Sequence, residues 1–357
     1  MPELKVYRHL PPRTLLIWRI VQALFWLIGV VILSCLLFFP ALGIMLFWNI
    51  LIPVAPALLV VSTGLWRNVC PLATTNLLPR RFGLSKKKKL TPKQSGVFSL
   101  IAIVALYVIV PLRHAVFNTN GPATAVLIIT MVLAGGILGF FYEWKSAWCS
   151  GLCPIHPVEK LYGGNILTSL PNAHCSECAN CMVPCPDSTP NIRPEASKKN
   201  LWFRMSGFLT TGGLPGFIWG WFHVPDNRFT GSLHELFMTY EIPFFALLVS
   251  LTIYGLLLAN TEQKYEPKLS GFFAAAGVSC YYSYRIPALF GFGNLGADGL
   301  LIDLKGKFPE WGINLIIVAT TTFFFYWLLV RTRNKNSWLI RPAFVKKTAT
   351  VRNKLPV

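Results

Sequence analysis

An all-α integral membrane protein of about eight transmembrane helices, with a small cysteine-rich insertion on one face, is the fold class this sequence predicts. Three observations carry that reading. Of the 357 residues, 54% are hydrophobic and 13% charged, about half the charge of an ordinary soluble domain, and the mean hydropathy is +0.51. Several apolar runs reach the roughly 20 residues that cross a bilayer. Six of the nine cysteines fall between positions 149 and 185.

Taken in chain order, spans are expected at about 14–39, 41–65, 97–117, 122–142, 201–222, 242–260, 270–291 and 311–330. The first apolar run is long and lacks a small-residue cleavage site, so no cleavable leader is expected. The fifth span carries Arg204 and many glycines, and the seventh carries Arg285 and Pro287. Both therefore also fit re-entrant or interfacial helices. Gly135–Gly139 and Gly212–Gly216–Gly220 have the small-x3-small spacing that lets helices approach closely. Cys35 and Cys280, inside spans, read as packing residues. The chain thus divides into a four-helix membrane region of two hairpins (1–142), an insertion (143–200), a second four-helix membrane region (201–330) and a basic tail (331–357).

Charge orients this arrangement. The formal net charge is +19, and in a soluble chain it would suggest nucleic acid. Here the cations are concentrated in particular loops, which excludes nucleic acid in favour of membrane topology. Residues 66–95 hold Arg67, Arg80, Arg81, Lys86, Lys87, Lys88, Lys89 and Lys93, and the tail from 331 holds eight more cations, both without an acid. Loops near 118, 223–241 and 292–310 are close to balanced. Both termini and the 143–200 insertion are therefore expected on the cytoplasmic side of a bacterial inner membrane, with Lys86–Lys89 lying on anionic lipid headgroups. Clustered cysteines on the reducing side point to metal rather than disulfides.

Cys175, Cys178, Cys181 and Cys185 followed by Pro186 read C-x2-C-x2-C-x3-C-P, the spacing of a bacterial ferredoxin iron–sulfur loop. Zinc would accept the same thiolates, but its ligand pairs are separated by a longer spacer. The insertion is therefore read as ferredoxin-like. A shorter motif occurs twice: Trp66-Arg-Asn-Val-Cys70-Pro71 after the second span and Cys149-Ser-Gly-Leu-Cys153-Pro154 after the fourth. Two related hairpins would bring these Cys-Pro ends together on one side of the membrane. In two-cluster ferredoxins the Cys before Pro crosses to the other cluster. On that rule Cys153 joins Cys175, Cys178 and Cys181 around one [4Fe–4S] cluster.

Cys149, Cys185 and Cys70 remain. They form a second cluster with a fourth ligand from His156, His174, Glu143 or outside the chain, or they bind another metal such as reduced copper, or there is one cluster only. As lone loop histidines, His156 and His174 are expected to be solvated rather than ligands. Residues 155–172 are expected to lie along the membrane surface, and Trp144 and Trp148 to seat the loop in the interfacial aromatic belt. Arg285 either lines a quinone or anion pocket or reaches the helix end. His114, His223 and His234 lie toward the outer face, so no transmembrane haem is expected. Gly291-Phe-Gly293-Asn-Leu-Gly296 neither follows a strand nor opens a βαβ unit, which removes dinucleotide binding.

Across roughly residues 14–190, the paired hairpins, the Cys-x3-Cys-Pro motif at Cys149–Pro154 and the Cys175–Pro186 loop resemble the membrane-bound polyferredoxin-like proteins. That group includes the quinol dehydrogenase subunit of periplasmic nitrate reduction, the nitrous-oxide reductase regulator, the methylamine-utilisation ferredoxin-like protein and a cytochrome oxidase maturation factor. Trp66 stands where a second full motif would have a cysteine, and a second ferredoxin loop is lacking. The resemblance implies an electron-transfer component of an oxidoreductase system. It would relay electrons between a quinol or a soluble cytoplasmic carrier and a membrane redox partner or larger complex. Other implied roles are maturation of a copper or haem enzyme and a cluster-bearing subunit of a respiratory or photosynthetic complex. No nucleophile–base pair for hydrolysis is present.

Overall fold

The computed structural model describes residues 6–7, 11–88, 90–142, 145–163, 173–174, 200–224, 232–293, 299–331 and 341–342. The protein is a helical, multi-pass membrane protein. Among the described residues, six helical stretches are long and apolar enough to cross a bilayer: Pro12–Phe38, Pro40–Val61, Pro92–Ile109, Gly121–Phe141, Leu233–Ala259 and Glu310–Val330. They match the first, second, third, fourth, sixth and eighth spans read from the sequence.

In chain order, α1 is Pro12–Phe38. The second crossing is built from α2 (Pro40–Ile44), a π-helical turn (Met45–Leu51) and α3 (Ile52–Val61). Two short helices follow, α4 (Thr63–Val69) and α5 (Pro71–Arg81), broken at Cys70. α6 is Pro92–Ile109 and begins earlier than hydropathy suggested. Its start is a capping box: the Thr91 hydroxyl accepts the Gln94 N–H (3.2 Å) and Gln94 Oε1 accepts the Thr91 N–H (2.9 Å), with Pro92 at the first helical position. A π-helical turn (Arg113–Phe117) leads to α7 (Gly121–Phe141). A third π-helical segment (Lys145–Leu152) and α8 (His156–Tyr162) form a second broken pair. α9 is Leu201–Trp221, α10 Leu233–Ala259, α11 Glu266–Leu289 and α12 Glu310–Phe325. A two-residue parallel strand pair, β1 (Val6–Tyr7) and β2 (Arg341–Pro342), joins the two ends of the chain.

α9 and α11 fall where the fifth and seventh spans were expected. They are the central helices, which explains their low hydropathy. Facing protein rather than lipid, they bury Ser206, Thr210, Thr211 and Gly212 in α9 and Ser270, Gly271 and Ser279 in α11. Small residues set the approach of α9 to α10. A Cβ on Gly212 would meet the Tyr254 ring, and one on Gly216 the Ala246 carbonyl. One on Gly220 would lie 2.7 Å from Pro243 Cα. Gly216→Ala is therefore expected to destabilise the bundle by about 1–3 kcal/mol through overpacking, read as a lowered unfolding temperature in detergent. An unchanged transition would remove this contact from the account.

Prolines break the second crossing, and α11 repairs it. In a π-helical turn the Trp48 carbonyl would accept from residue 53, but Pro53 has no N–H. Arg285 Nη2 donates there instead (3.0 Å) and to Asn49 Oδ1 (2.9 Å). One helical turn earlier, the Tyr282 hydroxyl is inserted into the α3 ladder. It accepts from Ala57 N–H (2.8 Å) and donates to the Pro53 carbonyl (2.7 Å). Arg285 is 1% exposed, so it neither snorkels to an interface nor stands open as a pocket wall. Arg113, which the sequence reading passed over, is also buried. Its guanidinium lies 4.8 Å from the Trp48 ring centre and 5.2 Å from that of Trp221.

Candidate functional site

Both Cys-Pro motifs are helix breaks. Cys70 stands between α4 and α5 with extended backbone (φ −59°, ψ 118°), and Pro71 opens α5. Proline suits that first position because its missing N–H would be unsatisfied anyway and its φ is already helical. The Cys70 thiol takes backbone N–H groups from Leu72 and Ala73. Cys153 repeats the device just before α8, with N–H groups from Ile155 and His156. Each sulfur thus sits at the positive end of a half-helix, where a thiolate or another anion is favoured.

The two breaks meet. Cys70 is near enough to bear on the charge of Cys153. Cys70 and Cys149 both pack against Ala73 and Leu77. The duplicated motif thus has Cys70 close to Cys153, with Cys149 on the same two side chains as Cys70. Cys175, Cys178, Cys181, Cys185, Glu143 and Trp144 lie outside the described residues. Among the described residues no group of three His, Cys, Asp or Glu side chains holds a metal by itself.

Of the stretch 155–172, expected along the membrane surface, residues 155–163 are described, and with 145–152 they pack against α7 and α11. Trp148 is buried, its ring against Gly135 of α7, 3.4 Å from where a Cβ would stand. Gly135 is six residues from the end of α7, about 9 Å at 1.5 Å per residue. At the far end of α8, the Tyr162 hydroxyl donates to the Ala274 carbonyl in α11 (3.1 Å). Ala274 stands eight residues inside α11, about 12 Å along it. The segment is packed inside the bundle, where irregular backbone needs protein partners for its polar groups. Its mixed polarity, read as interfacial, instead reflects polar groups paired inside the bundle.

Those groups lie beside the cysteines. Arg67 of α4 forms an ion pair with Glu159 of α8, and His156 Nδ1 lies 3.9 Å from the other Glu159 oxygen. Burial works against the charge of Glu159, but the Arg67 guanidinium and His156 outweigh it and hold the carboxyl down at about 2. Burial lowers His156 to about 4, so its ring is neutral at pH 7, the form that ligates metals. Burial, followed by Cys70, pushes the Cys153 thiol up to about 12, and burial also raises Cys70. Without a cationic partner these thiols stay protonated, despite their helix N-termini. His174, also expected to be solvated, is 1% exposed. The preceding Ala173 donates its N–H to Asn68 Oδ1 (2.9 Å).

Compared with family models, with curated proteins and with solved structures, the chain finds no match. The functional reading rests on the site itself. Sequence reasoning missed Arg67, Asn68 and Glu159. Arg67 was counted only as a topology charge. Glu159 carried no signal, since an acid in a loop reads as solvated until the fold shows it buried.

Proposed function

We propose that this protein is a membrane-bound [4Fe–4S] electron-transfer protein of the polyferredoxin-like kind, working between a quinol or a cytoplasmic donor and a membrane redox partner. The observation that carries the reading is the convergence of two Cys-Pro half-helix N-termini on Cys70 and Cys153, beside a chain segment that continues into the C-x2-C-x2-C-x3-C-P spacing. The donor set fits the group. Soft thiolates receiving N–H bonds at helix N-termini suit an anionic thiolate-bound cluster, and such bonds to sulfur raise its reduction potential.

Cys153, Cys175, Cys178 and Cys181 would hold the main cluster. Cys149, Cys185 and Cys70, with neutral His156 or buried His174 beside them, would hold or shape a second site. When bound, such clusters accept and release one electron at a time. The chain supplies thiolates, backbone N–H groups that spread their charge, and a protein-lined seat. In this reading α9 and α11 complete eight crossings, and both termini and the cysteine loop face the cytoplasm of a bacterial cell. The pairing of β1 with β2 supports an even number of crossings.

The test is reduction of the anaerobically purified protein by a quinol or by dithionite, followed in the visible spectrum. Reversible bleaching of a broad visible absorbance is the expected outcome. A spectrum that neither reductant changes would overturn the electron-transfer reading.

A further inference from the structure

We propose that the last turn of α4 is a clamp that gathers the cysteine-bearing segments, with Asn68 as its positioning residue for the chain leading into Cys175. The inference rests on the iron–sulfur reading for its consequence, but on geometry for the clamp itself.

A connection between helices ordinarily runs over the surface, because buried backbone needs partners. Ala173 and His174 depart from that, each being 1% exposed. Asn68, itself fully buried, supplies the acceptor for the Ala173 N–H at 2.9 Å. Its neighbour Arg67 holds Glu159 of α8, the helix that starts three residues after Cys153. Two residues past Asn68 in the chain comes Cys70, and two residues past Ala173 comes Cys175. One helical turn therefore ends at a cysteine and grips two other segments, each through one polar side chain. The two contacts are an ion pair and a hydrogen bond. Their work is to fix where three separate stretches of chain meet. Such support decides whether ligands stand at the right spacing.

The experiment compares Asn68→Leu, which keeps the size but removes the acceptor, with Asn68→Asp, which keeps an acceptor oxygen. Hydrogen exchange at the Ala173 amide and iron per chain are read together on the full-length protein. Asn68→Leu is expected to speed exchange at Ala173 by about tenfold and to lower bound iron, while Asn68→Asp stays near wild type in both. Ala173→Pro removes the donor from the other side without touching α4 and should lower iron likewise, which keeps the test decisive if Asn68→Leu fails to fold. Wild-type exchange in Asn68→Leu, or full iron in Ala173→Pro, would overturn the clamp. A wild-type protein without iron in which Asn68→Leu still speeds exchange would uphold the clamp and bring down the iron–sulfur reading instead.

Discussion

Cys153→Ala is expected to lose the visible absorbance of the main cluster, and with it most of the bound iron and acid-labile sulfide, while the helical bundle stays folded. The sulfur it removes stands at the N-terminus of α8, receives two backbone N–H groups and faces Cys70. It is the ligand that the crossing rule assigns to the cluster of Cys175, Cys178 and Cys181. A lost thiolate leaves one iron without its protein ligand. Cys35→Ala is the control, since Cys35 lies within the first crossing and should leave iron unchanged. Cys70→Ala separates the remaining arrangements: it should spare the main cluster's spectrum and reduce only what the second site holds. Iron measured at the wild-type level in Cys153→Ala would refute the assignment.

Arg67→Met is expected to destabilise the protein by about 3–5 kcal/mol, because it leaves the Glu159 carboxylate buried without its guanidinium partner. The double variant Arg67→Met/Glu159→Leu should recover most of that loss, since replacing both charges by apolar side chains removes the desolvation cost along with the attraction. The pair also sets an acid limit for the metal-free protein. The carboxyl is held at about 2 in the fold against an ordinary 4.5, so its contribution is complete above pH 4.5 and is lost as pH falls toward 2. The Glu159→Gln variant should not show this acid-dependent loss. Unfolding temperature in detergent across pH reads both effects, and an Arg67→Met transition equal to wild type would show that the ion pair carries no stability.

Six crossings and the meeting of the Cys-Pro motifs were legible because both leave local marks: apolar length in one case, repeated spacing in the other. Helix starts were read less well. Leu233–Glu241 belongs to α10, although its acids and polar residues placed that start nine residues late. Ser232 caps it by accepting the His234 N–H (3.3 Å). The burial of 145–163 in the bundle was not legible, because a polar residue buried against a partner and one facing water look alike in sequence. His156, Glu159 and Lys160 are all buried, and only the fold shows that Arg67 stands opposite Glu159. Arg285 illustrates the same limit. Its partners are the Trp48 carbonyl, freed by Pro53, and the Asn49 side chain, 237 and 236 positions away, a pairing that no local pattern encodes.

The most direct test of the central claim is the count of iron and acid-labile sulfide per chain in anaerobically purified protein, together with the EPR spectrum of its dithionite-reduced form. The account predicts at least about four of each and a reduced-cluster signal. Spin–spin coupling and about twice that iron would mark two clusters, with a ligand other than cysteine completing the second. A folded sample that carries zinc or no metal, and shows no signal on reduction, would contradict it.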